Sequence, residues 1–316
     1  LDSIELFEMV NGEWIKQHRG DKVKQKYASC LDDFHCFELR SDPKDPIDLY
    51  LKIQTTTINT VVLEAVPVRD LPLLVANRMV TLMGTFAVAT SLLVIGILFF
   101  LIERSSLVAT FCAYQIAVVL LTFLSTGLMA RMFENPSPEL MNNLNQYLLS
   151  IRAIFTVLLG YVLLQPYKLH AYYRKAMWLL AGLCVLSMYF VVSDQFSNAS
   201  RLNIAIHVIC FLVQIFGAAT AQNISKLLRW LTLIGYLIFE IILIGSIFTA
   251  FNLYPEISQS TPLFMLSLGD SRLNGSRVGI FLFAILIIQV FERRKINSAT
   301  LESFKLEAAK SSAQRE

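Results

Sequence analysis

Three ionisable side chains stand where charge is expensive. Arg152, His207 and Glu240 each fall inside a long apolar stretch of this 316-residue chain. Insertion scales put a charged group at the middle of a hydrocarbon layer at roughly 2.5–3.5 kcal/mol, so such residues face a bundle interior and find partners there. Read functionally, the three form a polar cluster, a signalling or ligand-responsive site in the outer half of the bundle. Read structurally, Arg152 snorkels to the outer headgroups and Glu240 is a hydrogen-bonding residue of the packing. A second set of candidates is aromatic. Trp14, Phe34 and Tyr50 lie where apolar and polar residues alternate. An exposed ring in such a segment could stack on a sugar, although aromatic residues of a small β domain commonly fill its core. Tyr50 is the strongest of them, because it lies on the polar face of its strand. A third set is the run from Cys30 to Cys36, with Asp32, Asp33 and His35 between. In an oxidising compartment a disulfide between Cys30 and Cys36 closes this loop, and free thiols are the alternative. The spacing matches no standard zinc pattern, so no metal is expected. Phosphate-binding glycine loops, nucleophile elbows and His-Glu-x-x-His arrangements are absent from the sequence, which points to no catalytic centre and no cofactor.

The elements that must position these residues are mostly membrane spans. The chain is 55% hydrophobic and 16% charged, against about 25% charged in ordinary soluble domains. Residues 79–102 carry no charged side chain, and about 20 apolar residues at ~1.5 Å rise cover a ~30 Å hydrocarbon core. Further apolar stretches cover 107–130, 147–165, 176–193, 202–220, 230–251 and 278–291, which predicts seven spans. Arg104, then Lys168, Arg174 and Lys175, then Lys226 and Arg229, then Arg293, Arg294 and Lys295 fall on one side. The opposite linkers are poorer in basic residues. The positive-inside rule then places the N-terminal segment outside and the C-terminus in the cytoplasm. A net charge of +3 is too small and dispersed to suggest nucleic acid. Cys112, Cys184 and Cys210 lie within spans, as small apolar fillers.

Residues 1–70 read as an antiparallel, all-β extracytoplasmic domain. Ile47, Leu49, Leu51 and Ile53 alternate with Asp48, Tyr50, Lys52 and Gln54, the two-residue period of a half-buried strand. Asn11-Gly12 between two apolar pairs predicts a hairpin. Residues 4–7 and 60–66 are further strand candidates, and Pro67 and Pro72 end the sheet. The segment is short for an independent sandwich, so strands are expected before Leu1. Residues 71–293 form the helical membrane domain. Residues 294–316 read as a charged cytoplasmic helix, the linker to an output domain that is expected beyond Glu316.

This order of parts resembles the bacterial seven-transmembrane receptors with diverse intracellular signalling modules. The stretches that carry the likeness are IELFEMVNGEWIKQHRGD (4–21), FELRSDPKDPIDLYLKIQT (37–55) and ERSSLVATFCAYQIA (103–117). The first two are similar to that family's jelly-roll-like outer domain, and the third to its short first inner loop. The resemblance implies a receptor in the bacterial inner membrane. Its outer domain would bind a small, carbohydrate-like molecule, and its spans would signal to a histidine kinase or, alternatively, a diguanylate cyclase. It also implies a homodimer through the cytoplasmic helix. A transporter or channel subunit is the rival reading, one that ordinarily shows internal repeats and broken helices; the sequence has no visible repeat.

Overall fold

The computed structural model describes residues 3–10, 12–19, 36–40, 48–54, 66–125, 137–250, 278–292, 294, 295 and 298. The chain is mostly helical, with one small antiparallel sheet. Strand β1 (Ser3–Val10) turns through Gly12 into β2 (Glu13–Arg19). Gly12 adopts φ +84°, the left-handed conformation that a two-residue hairpin turn demands. Strand β3 (Leu49–Gln54) pairs antiparallel on the other side of β1, so the sheet order is β2-β1-β3. The buried strand is the central one: Ile4, Leu6 and Glu8 point into the covered face. The alternation in β3 is present but shields less than its pattern predicts. Leu49 and Ile53 stay exposed; among the described residues β3 pairs with β1 alone. The expected strand at 60–66 lies outside the described residues save Val66, as do Phe34, Cys30 and the interval between Cys30 and Cys36.

Seven helices follow among the described residues. They are α1 (Leu71–Glu103), α2 (Ser106–Ser125), α3 (Pro138–Leu164), α4 (Ala171–Val192), α5 (Phe196–Thr220), α6 (Lys226–Ala250) and α7 (Val278–Glu292). Helices α1 to α5 contain stretches long and apolar enough to cross a membrane. Several helices start earlier than the apolar stretches within them. Pro72 sits in the first turn of α1, where a missing N–H goes unused. Ser137 Oγ accepts from Leu140 N at 3.1 Å and starts α3 nine residues before the apolar stretch at 147. His170 Nδ1 accepts from Tyr172 N at 3.4 Å and starts α4. These caps satisfy first-turn N–H groups that would otherwise be orphaned.

Three connections are tight turns built around a residue in the left-handed region: Arg104 (φ 46°), Asp194 (φ 57°) and Asn223 (φ 63°). Short links force antiparallel neighbours, and the packing follows: α1 on α2, α4 on α5, α5 on α6. Helix α3 is the hub, in contact with α2, α4 and α5. Helix α7 lies among α1, α2, α3 and α6. Its Phe283 packs on Phe99 and Phe111, its Phe281 on Phe239, and its Gln289 reaches Leu163. Gly235 gives α6 its close approach to α7, since a Cβ there would enter the Phe281 ring.

Candidate functional site

The pleat divides the sheet into two unlike faces. Ile4, Leu6 and Glu8 take the covered face, where Arg40 N donates to Glu8 Oε1 at 2.8 Å and Gln17 Nε2 donates to the Glu38 carbonyl at 2.7 Å. The register puts Ser3, Glu5, Phe7 and Met9 on the opposite face, with Trp14, Lys16 and His18 from β2 and Tyr50 and Lys52 from β3. Trp14 stands opposite Met9 and Tyr50 opposite Phe7. Both rings lean across β1 and meet edge to face, with centroids 5.3 Å apart. The contact does not bury them: Trp14 is 49% exposed and Tyr50 59%. The two aromatic candidates of the N-terminal segment therefore form one solvent-facing platform.

A polar row borders the platform. Lys16 Nζ donates to Glu5 Oε1 at 2.6 Å and stands 5.6 Å from the Phe7 ring centroid, while Lys52 reaches Glu5 Oε2 at 3.5 Å. The hydrogen bond from Lys16 holds the Glu5 carboxyl below its ordinary range, with Lys52 adding to the effect. Ser3 Oγ and His18 Nε2, 2.8 Å apart, close the row. An exposed aromatic surface beside hydrogen-bonding edges can stack on an apolar ring face and bind its polar rim. Cys36 is disulfide-bonded, and Cys112, Cys184 and Cys210 are buried free thiols. Among the described residues no group of acidic, histidine or cysteine side chains is arranged to hold a metal.

The intramembrane candidates lie on three different helices. Arg152 lies 14 residues into α3, about 21 Å along its axis at 1.5 Å per residue. That is much deeper than the one and a half turns suggested by a span starting at 147, because α3 begins at Pro138. Arg152 is within electrostatic range of His207 on α5 and Tyr114 on α2. His207 Nδ1 is 2.7 Å from the Asn203 carbonyl. Glu240 is buried on α6, within electrostatic range of Cys210 on α5.

Neutral polar residues build most of the network that the sequence reading passed over. Ser150, Ser187 and Asn203, one from each of α3, α4 and α5, close a buried triangle. Ser187 Oγ donates to Asn203 Oδ1 at 2.7 Å, Asn203 Nδ2 donates to Ser150 Oγ at 3.1 Å, and the two hydroxyls are 3.1 Å apart. Ser200 Oγ donates to Gln146 Oε1 at 3.3 Å along the same seam. Towards the other end, the Tyr173 hydroxyl lies 3.2 Å from both the Gly160 carbonyl and Gln214 Oε1. The signal was available: Ser200, Asn203, His207 and Gln214 recur at three- and four-residue steps or their sum, which is one face of a helix.

One end of the bundle gathers further polar contacts. Lys168 and Gln222 form an isolated backbone bridge, and Arg229 donates to the Ala221 carbonyl at 2.7 Å. Ser225 hydrogen-bonds Glu292, and Arg294 pairs with Glu103. This end carries Arg104, Lys168, Arg174, Lys175, Lys226 and Arg229, the basic linker set. Arg294, Lys295 and Ser298 are helical beyond α7, and residues 299–316, which hold the remainder of the expected linker helix, lie outside the described residues. No family model, no curated protein and no solved structure matches this chain.

Proposed function

We propose that this chain is the sensing part of a membrane receptor. An extracytoplasmic sheet, part of a jelly-roll-like domain, binds a small carbohydrate-like molecule. Seven spans then carry the change to a cytoplasmic output, either a histidine kinase or a diguanylate cyclase. The observation that carries this reading is the Trp14–Tyr50 pair, two large rings left in solvent on a charged sheet face. Exposed aromatic pairs of this size are poor surface residues unless something covers them. The basic linkers gathered at one end favour that end as cytoplasmic, which puts the sheet outside, in the inner membrane of a bacterium. In this reading Cys36 is paired with Cys30 by the oxidising outer compartment, and the helix after α7 brings two copies together. A ligand shifts such a receptor only by the difference in its affinity for the two states.

The test is a titration of the chain in lipid nanodiscs with neutral gluco-oligosaccharides, read by tryptophan fluorescence. Saturable quenching is expected, lost in Trp14→Ala and weakened in Tyr50→Ala. Identical responses from both variants and the parent chain would remove the platform as the binding surface.

A further inference from the structure

We propose that the basic end of α7 is a polar latch that holds the helix in one position, and that releasing it is the step by which the bundle addresses the segment that follows it. The first half of the claim stands on contacts alone; the second rests on the receptor reading given above.

Helix α7 is held differently along its length. Its upper half touches the bundle through aromatic and apolar surfaces: Phe281 on Phe239, and Phe283 on Phe99 and Phe111. Such contacts are non-directional and can slide by a fraction of a residue with little change in buried area. Beside them, Gly279 lies against Gln115 of α2, and a Cβ at Gly279 would meet Gln115 Nε2. The Gln115 amide is fully buried, yet neither its nitrogen nor its oxygen has a hydrogen-bond partner. The upper half of α7 therefore makes no polar bond through the Gln115 amide placed against it.

The last turn and the two residues after it are the opposite case. Gln289 Nε2 donates to the Leu163 carbonyl of α3 at 2.6 Å. Glu292 accepts from Ser225, just before α6. Arg294 pairs with Glu103, the final residue of α1. Three side chains of one helical exit, at positions 289, 292 and 294, thus grip three different elements. Polar bonds of this kind are directional and either made or broken, so they turn a sliding helix into a two-position one. Glu103 is largely shielded while Arg294 is about half exposed, so the outermost tie is also the one most open to solvent and to whatever follows the helix.

The measurement is hydrogen–deuterium exchange of the α7 amides with the full chain in nanodiscs. Glu103→Arg and Arg294→Glu each bring like charges together, and should speed exchange over 286–292 by about tenfold. The double charge reversal should return it to the parent rate. Exchange in α3 and α5 should stay unchanged in all three, which separates a released latch from a misfolded bundle. Ser225→Ala, a milder cut at a second tie, should give a smaller acceleration in the same segment. Parent-like exchange in both single reversals, or no recovery in the double, overturns the latch. Release of α7 without any change in the response to added oligosaccharide would leave the latch standing and remove its link to sensing.

Discussion

Replacing Asn203 with leucine tests whether neutral polar residues, rather than the charged ones, hold α3, α4 and α5 together. Leucine shares asparagine's branching but is bulkier, so the carboxamide is lost at a repacking cost of its own, which the double-variant comparison below cancels. Two of the three bonds in the Ser150–Ser187–Asn203 triangle then disappear, the one to Ser187 and the one to Ser150. Ser150 and Ser187 keep each other at 3.1 Å, so no hydroxyl is stranded. Interhelical hydrogen bonds in membranes average about 0.6 kcal/mol and reach ~1.7, so two of them predict a loss of about 1.2 kcal/mol, with ~3.4 as the ceiling. Ser187→Ala also removes two of the three bonds, one of them shared with the first variant. The double variant removes all three, so it should fall short of the sum of the singles by one bond, about 0.6 kcal/mol. Equilibrium unfolding in mixed detergent–lipid micelles measures all three variants. Strict additivity, or an Asn203→Leu protein as stable as the parent, would refute the closed triangle.

The remaining expectations concern other parts of the chain. Gly217→Ala sets a methyl against the buried Tyr173 ring and Leu164, and should destabilise by roughly 1–3 kcal/mol; Gly182→Ala, which meets nothing within 4 Å, should be neutral or stabilise by up to about 1 kcal/mol in the same assay. The Glu5 carboxyl is held low by Lys16, so its contribution is present above the ordinary glutamate range and is lost as pH falls through the depressed value; Lys16→Gln should raise its titration midpoint, followed by NMR of a labelled chain. Digestion without reductant should release a peptide joining Cys36 to Cys30, with Cys112, Cys184 and Cys210 recovered as thiols; Cys36 recovered as a thiol would remove that pairing.

The helices were legible because hydrocarbon leaves a plain mark: residues 79–102 without one charge can hardly be anything else. Their ends were not, since a helix starts where a cap satisfies its first N–H groups, and Ser137 and His170 are polar residues outside the apolar stretch. That single difference moved Arg152 from the rim of its helix to the middle. The face of Tyr50 followed from alternation within its own strand. Its partner could not be named that way, because bringing Trp14 to Tyr50 depends on the register of two strands against a third. Attention to charge also hid the triangle, since serine and asparagine raise no alarm in an apolar stretch until their spacing on one face is counted. Glu240 lies buried on α6 within electrostatic range of Cys210, a neighbour on another helix that no pattern within its own apolar stretch could name.

Which side of the membrane each end occupies is the claim under all the others. Ser3→Cys and Ser298→Cys can be probed separately with a membrane-impermeant maleimide, each against the parent chain as blank, since Cys112, Cys184 and Cys210 are buried and Cys36 is disulfide-bonded. Labelling of Ser3→Cys in intact spheroplasts, with Ser298→Cys labelled only after permeabilisation, is the result the receptor account predicts. Labelling of both positions from the same side would contradict it.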